Sequence, residues 1–488
     1  MTPPTSPKTN LIRGAFWTVS TRWLIKALGF INTVIMARLL MPEDYGIVAM
    51  GMLMVGFIQA FLDFSATIAL LRKQEVTRDE IDSAWTLRLI QGILAGAVIF
   101  LIAPIAVRYF EEPRLLEIMW VFAACVVLAA FTNVAQTLAL RDFNFTIDFK
   151  ISTLGKLASV ITTIAFGFLF RDYRALTLGI VAGYIVPLIL SYTLHPYRPR
   201  WNTSEIPEIW HLTKWLLISN IGFFLLHKSD ELAAGRIGST AEFGLYNVGS
   251  DFGQLPVSEI GPAMQRAILP VLASIKDDEE RTRLAILKIL SVIATVIWPL
   301  AFGFAALAFD ATRLIFGEKW LAAASFVAVF SIVSALQSSG GPLRSYLTLQ
   351  GHTRVQNTVT WIEFFGFLIT AVLIVPSHGL IGLAYARGTG SLFSAIGLLS
   401  ACHKHCGLHW KDALKYSCRP IIVAFLMYFV VSAAISNFAS LFVRLPVGIA
   451  AGALFYVVVI MLSWHILGRP EGMESTIVDK LKGLSGNT

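Results

Sequence analysis

The chain has 488 residues, of which 56% are hydrophobic and only 14% charged, with a mean hydropathy of +0.69 and a formal net charge of +8. Soluble domains carry about 25% charged residues, so that class is excluded. The basic excess fits Lys and Arg in the cytoplasmic loops of a membrane protein better than a nucleic-acid surface, and no nucleic-acid partner is expected.

Apolar runs long enough to cross the hydrocarbon core, about 20 residues each, predict an all-α polytopic membrane protein. Segments of about ten residues alternating in polarity, the sign of a membrane β-barrel, are not found. Residues 1–13 are polar and mildly basic, and the apolar segment after them is too long for a signal-peptide core. No cleavable leader is expected.

In chain order, spans are predicted at 14–40, 44–71, 84–108, 115–139, 150–170 and 174–194. Others follow at 209–237, 243–272, 284–309, 319–337, 356–376, 379–402, 416–436 and 444–467, about fourteen in all. One set of alternate loops holds most of the Lys and Arg, including Arg72, Lys73, Lys150, Arg198, Arg281 and Lys411. That side is assigned to the cytoplasm, with both termini inside. No loop is long enough for a soluble catalytic domain, and no catalytic residue is expected.

A repeat links the start of the chain to its middle. Ala37-Arg38-Leu39 and Gly235-Arg236-Ile237 each end a span, and Tyr45-Gly46-Ile47 and Phe243-Gly244-Leu245 each begin the next. Both pieces share one offset of 198 positions (236 − 38 and 243 − 45). Trp17 and Trp215, Asn32 and Asp230, and Asp44 and Glu242 match at the same offset. An even number of intervening spans gives the copies one orientation, as in transporters with parallel repeats. The expected architecture is a six-helix lobe at 1–200, a second at 201–408, and an added helix pair with a tail at 409–488.

Ionisable residues inside spans usually face the bundle interior or a water-filled cavity. Arg22 and Lys26 are four apart and share one face of the first span, a stripe that Gly29 and Thr33 continue. They suit an anion-accepting cavity; the other reading is structural pairing with an acid such as Asp63. Arg88 and Lys228 are further candidates for a cationic substrate site. In the seventh span, His227, Asp230 and Glu231, with Lys228 among them, can form either an ion-coupling cluster or a self-neutralised patch. Lys156, Asp251, Glu259, Arg266 and Glu363 are additional intramembrane charges. Arg38 and Arg236 recur at span ends and read as structural anchors.

The string Cys402-His403-Lys404-His405-Cys406 matches no common zinc spacing, and neither a metal nor another cofactor is expected. Ser338-Ser339-Gly340-Gly341-Pro342 lacks the Lys and Ser/Thr of a phosphate loop and reads as a helix break.

The opening, Gly14-Ala15-Phe16-Trp17, Ala37-Arg38-Leu39-Leu40 and Pro42-Glu43-Asp44-Tyr45-Gly46, resembles the oligosaccharide flippases of the multidrug/oligosaccharidyl-lipid/polysaccharide exporter superfamily, especially the colanic-acid exporter type. Leu349-Gln350-Gly351-His352-Thr353-Arg354 and Gly379-Leu380-Ile381-Gly382-Leu383-Ala384 are similar too. The resemblance implies a non-enzymatic flippase of the bacterial inner membrane that moves undecaprenyl-pyrophosphate-linked oligosaccharide repeat units to the periplasmic leaflet. It also implies membrane lipids, a coupling ion (proton or sodium) and a polysaccharide polymerase with export machinery as partners. The alternatives are a cation-coupled drug exporter, which Arg22 and Lys26 disfavour, a lipid II flippase, and a membrane glycan polymerase.

Overall fold

The computed structural model describes residues 7–62, 70, 76–141, 144–275, 277–468 and 473. Among them there is no strand, and the chain is a series of helices. These are α1 (Pro7–Leu39), α2 (Pro42–Leu62), α3 (Arg78–Phe110), α4 (Leu115–Ala130), α5 (Ala135–Arg141), α6 (Phe145–Phe170), α7 (Tyr173–Thr193), α8 (Ile206–Ile237) and α9 (Thr240–Ser274). There follow α10 (Glu279–Ala306), α11 (Ala308–Phe316), a 3-10 turn at Glu318–Ala323, α12 (Ala324–Ser339), α13 (Gly341–Leu349), α14 (Thr353–His378), α15 (Leu380–Cys406), α16 (Trp410–Ser436) and α17 (Leu441–Ile466).

Nine of the described stretches are long and apolar enough to cross a membrane, counting Glu318–Leu349 as one. With α1, α4, α8, α9 and α15 they are consistent with the fourteen spans expected. The protein is therefore an all-helical, multi-pass membrane protein. The break anticipated at Gly340 lies between α12 and α13. Pro104, Pro187 and Pro299 sit inside continuous helices, where neighbouring helices in a bundle re-satisfy the freed backbone groups.

Helix ends are set by local chemistry. Thr77 and Glu80 form a reciprocal capping box at the start of α3, which satisfies two backbone donors that the first turn leaves open. Asp172 and Asp278 cap α7 and α10 through the amides of Arg174 and Arg281. Gly379 joins α14 to α15 at φ +60° and ψ −145°, a conformation that residues with a Cβ avoid.

The chain divides into two compact units, Met1–Gly244 and Leu245–Thr488. In the first, α3 packs on α4, α6 on α7, α1 along α6, and α2 against α8. The connection after α7 is tied down by Asp82, which accepts from the Tyr197 hydroxyl at 2.7 Å and the Arg200 amide at 2.9 Å.

The repeat has a structural counterpart within this unit. Asp44 accepts from the Met41 amide at 2.9 Å, and Glu242 from the Ser239 amide at 2.8 Å. The two helix starts, 198 positions apart, thus carry the same cap. Gly46 stands against Thr240, and Gly244 against Pro42.

The second unit has a core in which α10 packs on α16 and on α12, α14 on α15, and α16 on α17. Ile286, Ile293, Ala301, Val423, Val431 and Ile460 are buried within it. The α16–α17 pair belongs to this core. The Tyr456 hydroxyl donates to the Thr295 carbonyl at 2.9 Å, and Arg444 pairs with the buried Asp310 at 3.1 Å.

Candidate functional site

The first unit carries the cationic residues singled out in the sequence. Arg22 and Lys26 lie on α1 with exposed side chains. Thr33, on the same stripe, donates to the Gly29 carbonyl at 3.0 Å. Two cations one helical turn apart form a surface on which an anion can be met by several N–H donors.

Lys156, on α6, lies beside Gly29. A Cβ at Gly29 would stand 3.5 Å from Lys156 Cε and 3.6 Å from its Nζ. Asp148, two turns earlier on α6, is engaged elsewhere: its Oδ1 accepts from Gln136 Nε2 at 3.4 Å.

Arg88 has a different local role. Its Nη2 donates to the Ala129 carbonyl at 2.8 Å; that carbonyl, in the last turn of α4, also accepts from the Thr132 amide at 3.2 Å. The guanidinium thus serves the end of a neighbouring helix.

In α8, Lys228 forms an ion pair with Glu231 one turn on. Asp230 and Glu231 are buried, whereas His227 is exposed and its ring lies 4.2 Å from that of Phe223. Asp63 lies outside the described residues.

At one end of the first unit is a rim of ion pairs. Arg114 binds Glu43 and Glu112, Thr240 donates to Glu112 at 2.9 Å, and Arg236 meets Glu111 at 2.7 Å. Burial raises the Glu112 carboxyl, but hydrogen bonds from Arg114 and Thr240 outweigh it and leave the group below its ordinary value. Arg114 is held still more firmly protonated by its bonds to Glu112 and Glu43.

The second unit holds a separate buried polar network. Arg344 on α13 pairs with Glu363 on α14 at 2.8 Å and donates to Ser394 on α15 at 2.6 Å. Gln337 donates to Ser391 at 3.2 Å, and Arg387 is buried on α15. The sequence reading named Glu363 but missed Arg344 and Arg387. Arg344 falls after the Gly340–Gly341–Pro342 break and was placed between spans, but the membrane-length stretch runs on to Leu349.

The Cys/His string is split by its helix. Cys402 and Cys406 are buried, while the His405 ring stacks on His352 at 3.8 Å. Among the described residues, the His, Cys, Asp or Glu group whose ligand atoms lie close together is Glu80, Glu205 and Glu208, within 4.8 Å. Glu80 already closes the α3 capping box.

A family model described as "Polysaccharide biosynthesis protein" matches residues 35–325. The chain is 23% identical over 487 residues to the succinoglycan biosynthesis transport protein ExoT of Rhizobium meliloti (strain 1021), covering 96% of each. It is 22% identical to the lipopolysaccharide biosynthesis protein WzxC of Escherichia coli (strain K12), covering 78% of each. A third relative is described as an uncharacterized membrane protein in the cps region of Klebsiella pneumoniae, 22% identical with 96% and 98% covered. Among solved structures, the lipid II flippase MurJ in an inward closed conformation has a TM-score of 0.73 at 16% identity, covering 93% of this chain and 99% of that one. An inward-facing MATE-family multidrug transporter has a TM-score of 0.58 at 14% identity, with 79% and 95% covered. At these identities the structures establish the fold.

Proposed function

The chain belongs to the polysaccharide biosynthesis protein family, and from that premise we propose that it flips lipid-linked oligosaccharide repeat units across the bacterial inner membrane. The observation that carries the reading is the Arg22–Lys26 stripe within a membrane-length helix, in a family whose named relatives serve polysaccharide and lipopolysaccharide synthesis. A pyrophosphate and acidic sugars need compensating cations out of bulk water, whereas a polyprenyl tail can stay in lipid.

The activity is transport, with no bond made or broken. Alternating access would be driven by a proton or sodium gradient, with Asp63, His227, Asp230 and Glu231 as coupling candidates. Arg88 and Lys228 are secondary candidates for contact with substrate, since each already has a protein partner. Both termini would be cytoplasmic, and a polymerase with its export machinery would take the product. Residues 1–200 and 201–408 are taken as the duplicated lobes, and 409–488 as the added pair.

The test is deletion of the gene followed by mapping of lipid-linked repeat units to one leaflet. Accumulation on the cytoplasmic leaflet, rescued by wild type but not by a normally inserted Arg22→Ala/Lys26→Ala variant, supports the reading. Unchanged lipid-linked sugars with altered sensitivity to cationic drugs would replace it with a drug exporter. Accumulation of lipid II would instead identify a lipid II flippase.

A further inference from the structure

The turn between α15 and α16 gathers basic side chains from three helices of the second unit. Gly407 closes α15 in the left-handed conformation at φ +66°, a cap that glycine adopts without strain. The His403 and His409 rings lie 4.8 Å apart across the turn. Arg283 of α10 reaches the same place: a Cβ on Gly407 would stand 3.9 Å from its Nη1. Lys404 belongs to the last turn of α15, and Lys411 and Lys415 to the first two turns of α16, all three exposed. Among the described residues, none of these four cations has an ion-pair partner. Of the acids at this end, Asp278 holds Arg281 at 3.5 Å, Glu279 lies toward Tyr346 and Cys406, and Asp412 is half-buried.

One face of α16 changes character with depth. At 3.6 residues per turn, Lys411, Lys415, Ile422 and Phe425 lie within about 40° either side of one line along the helix. All four are exposed, while Ala413, Val423, Met427 and Val431 occupy the opposite side and are buried. Ile422 and Phe425 stand about 10 and 15 Å beyond Lys415 at 1.5 Å per residue. That is the depth of one leaflet's hydrocarbon, half of about 30 Å. Trp410, exposed at the start of the helix, carries the Lys411 ammonium 5.7 Å from its ring centroid, and indole rings settle at the headgroup level of a bilayer.

We propose that this face binds an anionic glycerophospholipid of the adjoining leaflet. Its phosphate lies among Arg283, Lys411 and Lys415, and an acyl chain runs along Ile422 and Phe425. A face that is cationic at headgroup level and apolar below it matches a molecule built in that order. A soluble anion would leave Ile422 and Phe425 uncovered, and a neutral lipid would leave the cations unmatched. The lipid is distinct from the cargo, and its binding does not depend on the flippase reading.

The test titrates the full-length chain in detergent with phosphatidylglycerol brominated near the headgroup end of its acyl chains, which quenches nearby tryptophan. Brominated phosphatidylcholine is the comparison. Phosphatidylglycerol is expected to quench saturably, with a component that Trp410→Phe removes. Each Lys or Arg near an anionic headgroup is worth about fivefold in affinity. Lys411→Gln/Lys415→Gln is therefore expected to weaken binding about 25-fold, whereas Lys411→Arg/Lys415→Arg retains it. If the double glutamine variant is not monodisperse, Arg283→Gln, on another helix, makes the same test with an expected loss of about fivefold.

Equal affinity of wild type for the two phospholipids overturns the proposal. So does unchanged phosphatidylglycerol affinity in the glutamine variants, or quenching that is unaltered in Trp410→Phe. Glycerol phosphate that displaces the lipid as well as unlabelled phosphatidylglycerol does would mean an anion site without an acyl chain, and would overturn it. Geranylgeranyl diphosphate that displaces it more tightly would assign the face to cargo and overturn it too, while leaving the flippase reading in place.

Discussion

Gly46 and Gly244 make the same close contact in mirror roles. A Cβ on Gly46 would fall 1.9 Å from the Thr240 carbonyl oxygen, and one on Gly244 would fall 2.0 Å from that of Pro42. Pro42 and Thr240, like the glycines, are 198 positions apart. The obstructing atoms are backbone, which cannot rotate away as the tip of a side chain can.

Gly46→Ala and Gly244→Ala are each expected to destabilise the protein by at least the roughly 1–3 kcal/mol typical of overpacking. Because both act on one contact, the double variant should fall short of the sum. Thermal unfolding in detergent, followed by size-exclusion of a fluorescent fusion, measures both effects. An additive double variant would show that the two contacts are independent.

The buried pair Arg344–Glu363 invites a double-mutant cycle. Arg344→Ala strands a carboxylate that is 5% exposed. The expected cost is about 3 kcal/mol, at the low end for a broken buried pair, because Arg344 keeps part of its exposure. Arg344→Met with Glu363→Gln should recover much of the loss. A double variant as unstable as Arg344→Ala would show that the arginine's packing matters more than its charge.

Arg88 supplies a donor to the Ala129 carbonyl. Arg88→Met, which keeps the aliphatic stem, is expected to cost about 0.5–1.5 kcal/mol, the net worth of one hydrogen bond, because the Ala129 carbonyl keeps the Thr132 amide as a donor at 3.2 Å. If Arg88 also meets substrate, transport should fall further than stability predicts. Folded yield compared with transport rate across Arg88→Met and Arg88→Lys separates the two roles.

Glu112 gives a pH prediction. Its folded-state carboxyl lies below the ordinary value of 4.5, so the unfolded state takes up the proton first as pH falls. The stabilisation is complete above that ordinary value and is lost as pH drops through the lowered one. The melting-temperature difference between wild type and Glu112→Gln should therefore be steady above about pH 5.5 and shrink below about pH 4. A difference that stays constant across this range would mean that Glu112 acts by shape alone.

The fold was legible where span chemistry is simple. Uninterrupted apolar runs such as Pro446–Leu462 place α17 without ambiguity, and the repeated Arg38 and Arg236 hairpins reveal the matching caps at Asp44 and Glu242. Charge inside a helix weakens the signal without hiding it: His227–Glu231 and Asp251–Arg266 lower the hydropathy of α8 and α9, yet the spans expected at 209–237 and 243–272 fall on the continuous helices Ile206–Ile237 and Thr240–Ser274. A shared face for Arg22 and Lys26 follows from their spacing alone. That Lys156 lies beside Gly29 depends on which helix packs on α1, and no local pattern encodes that. Arg344 was missed because a glycine-rich break looks like the end of a span when the helix in fact resumes beyond it.

The ion pair between Asp310 and Arg444 also bears on the order of biosynthesis. The acid is made 134 residues before its partner, a lag of roughly 7–27 s at bacterial and eukaryotic elongation rates of 5–20 residues per second. During that interval the second unit holds a carboxylate whose buried position has no counter-charge from α17. A chain that ends before Arg444 therefore keeps a buried carboxylate without the ion-pair partner that the full sequence supplies.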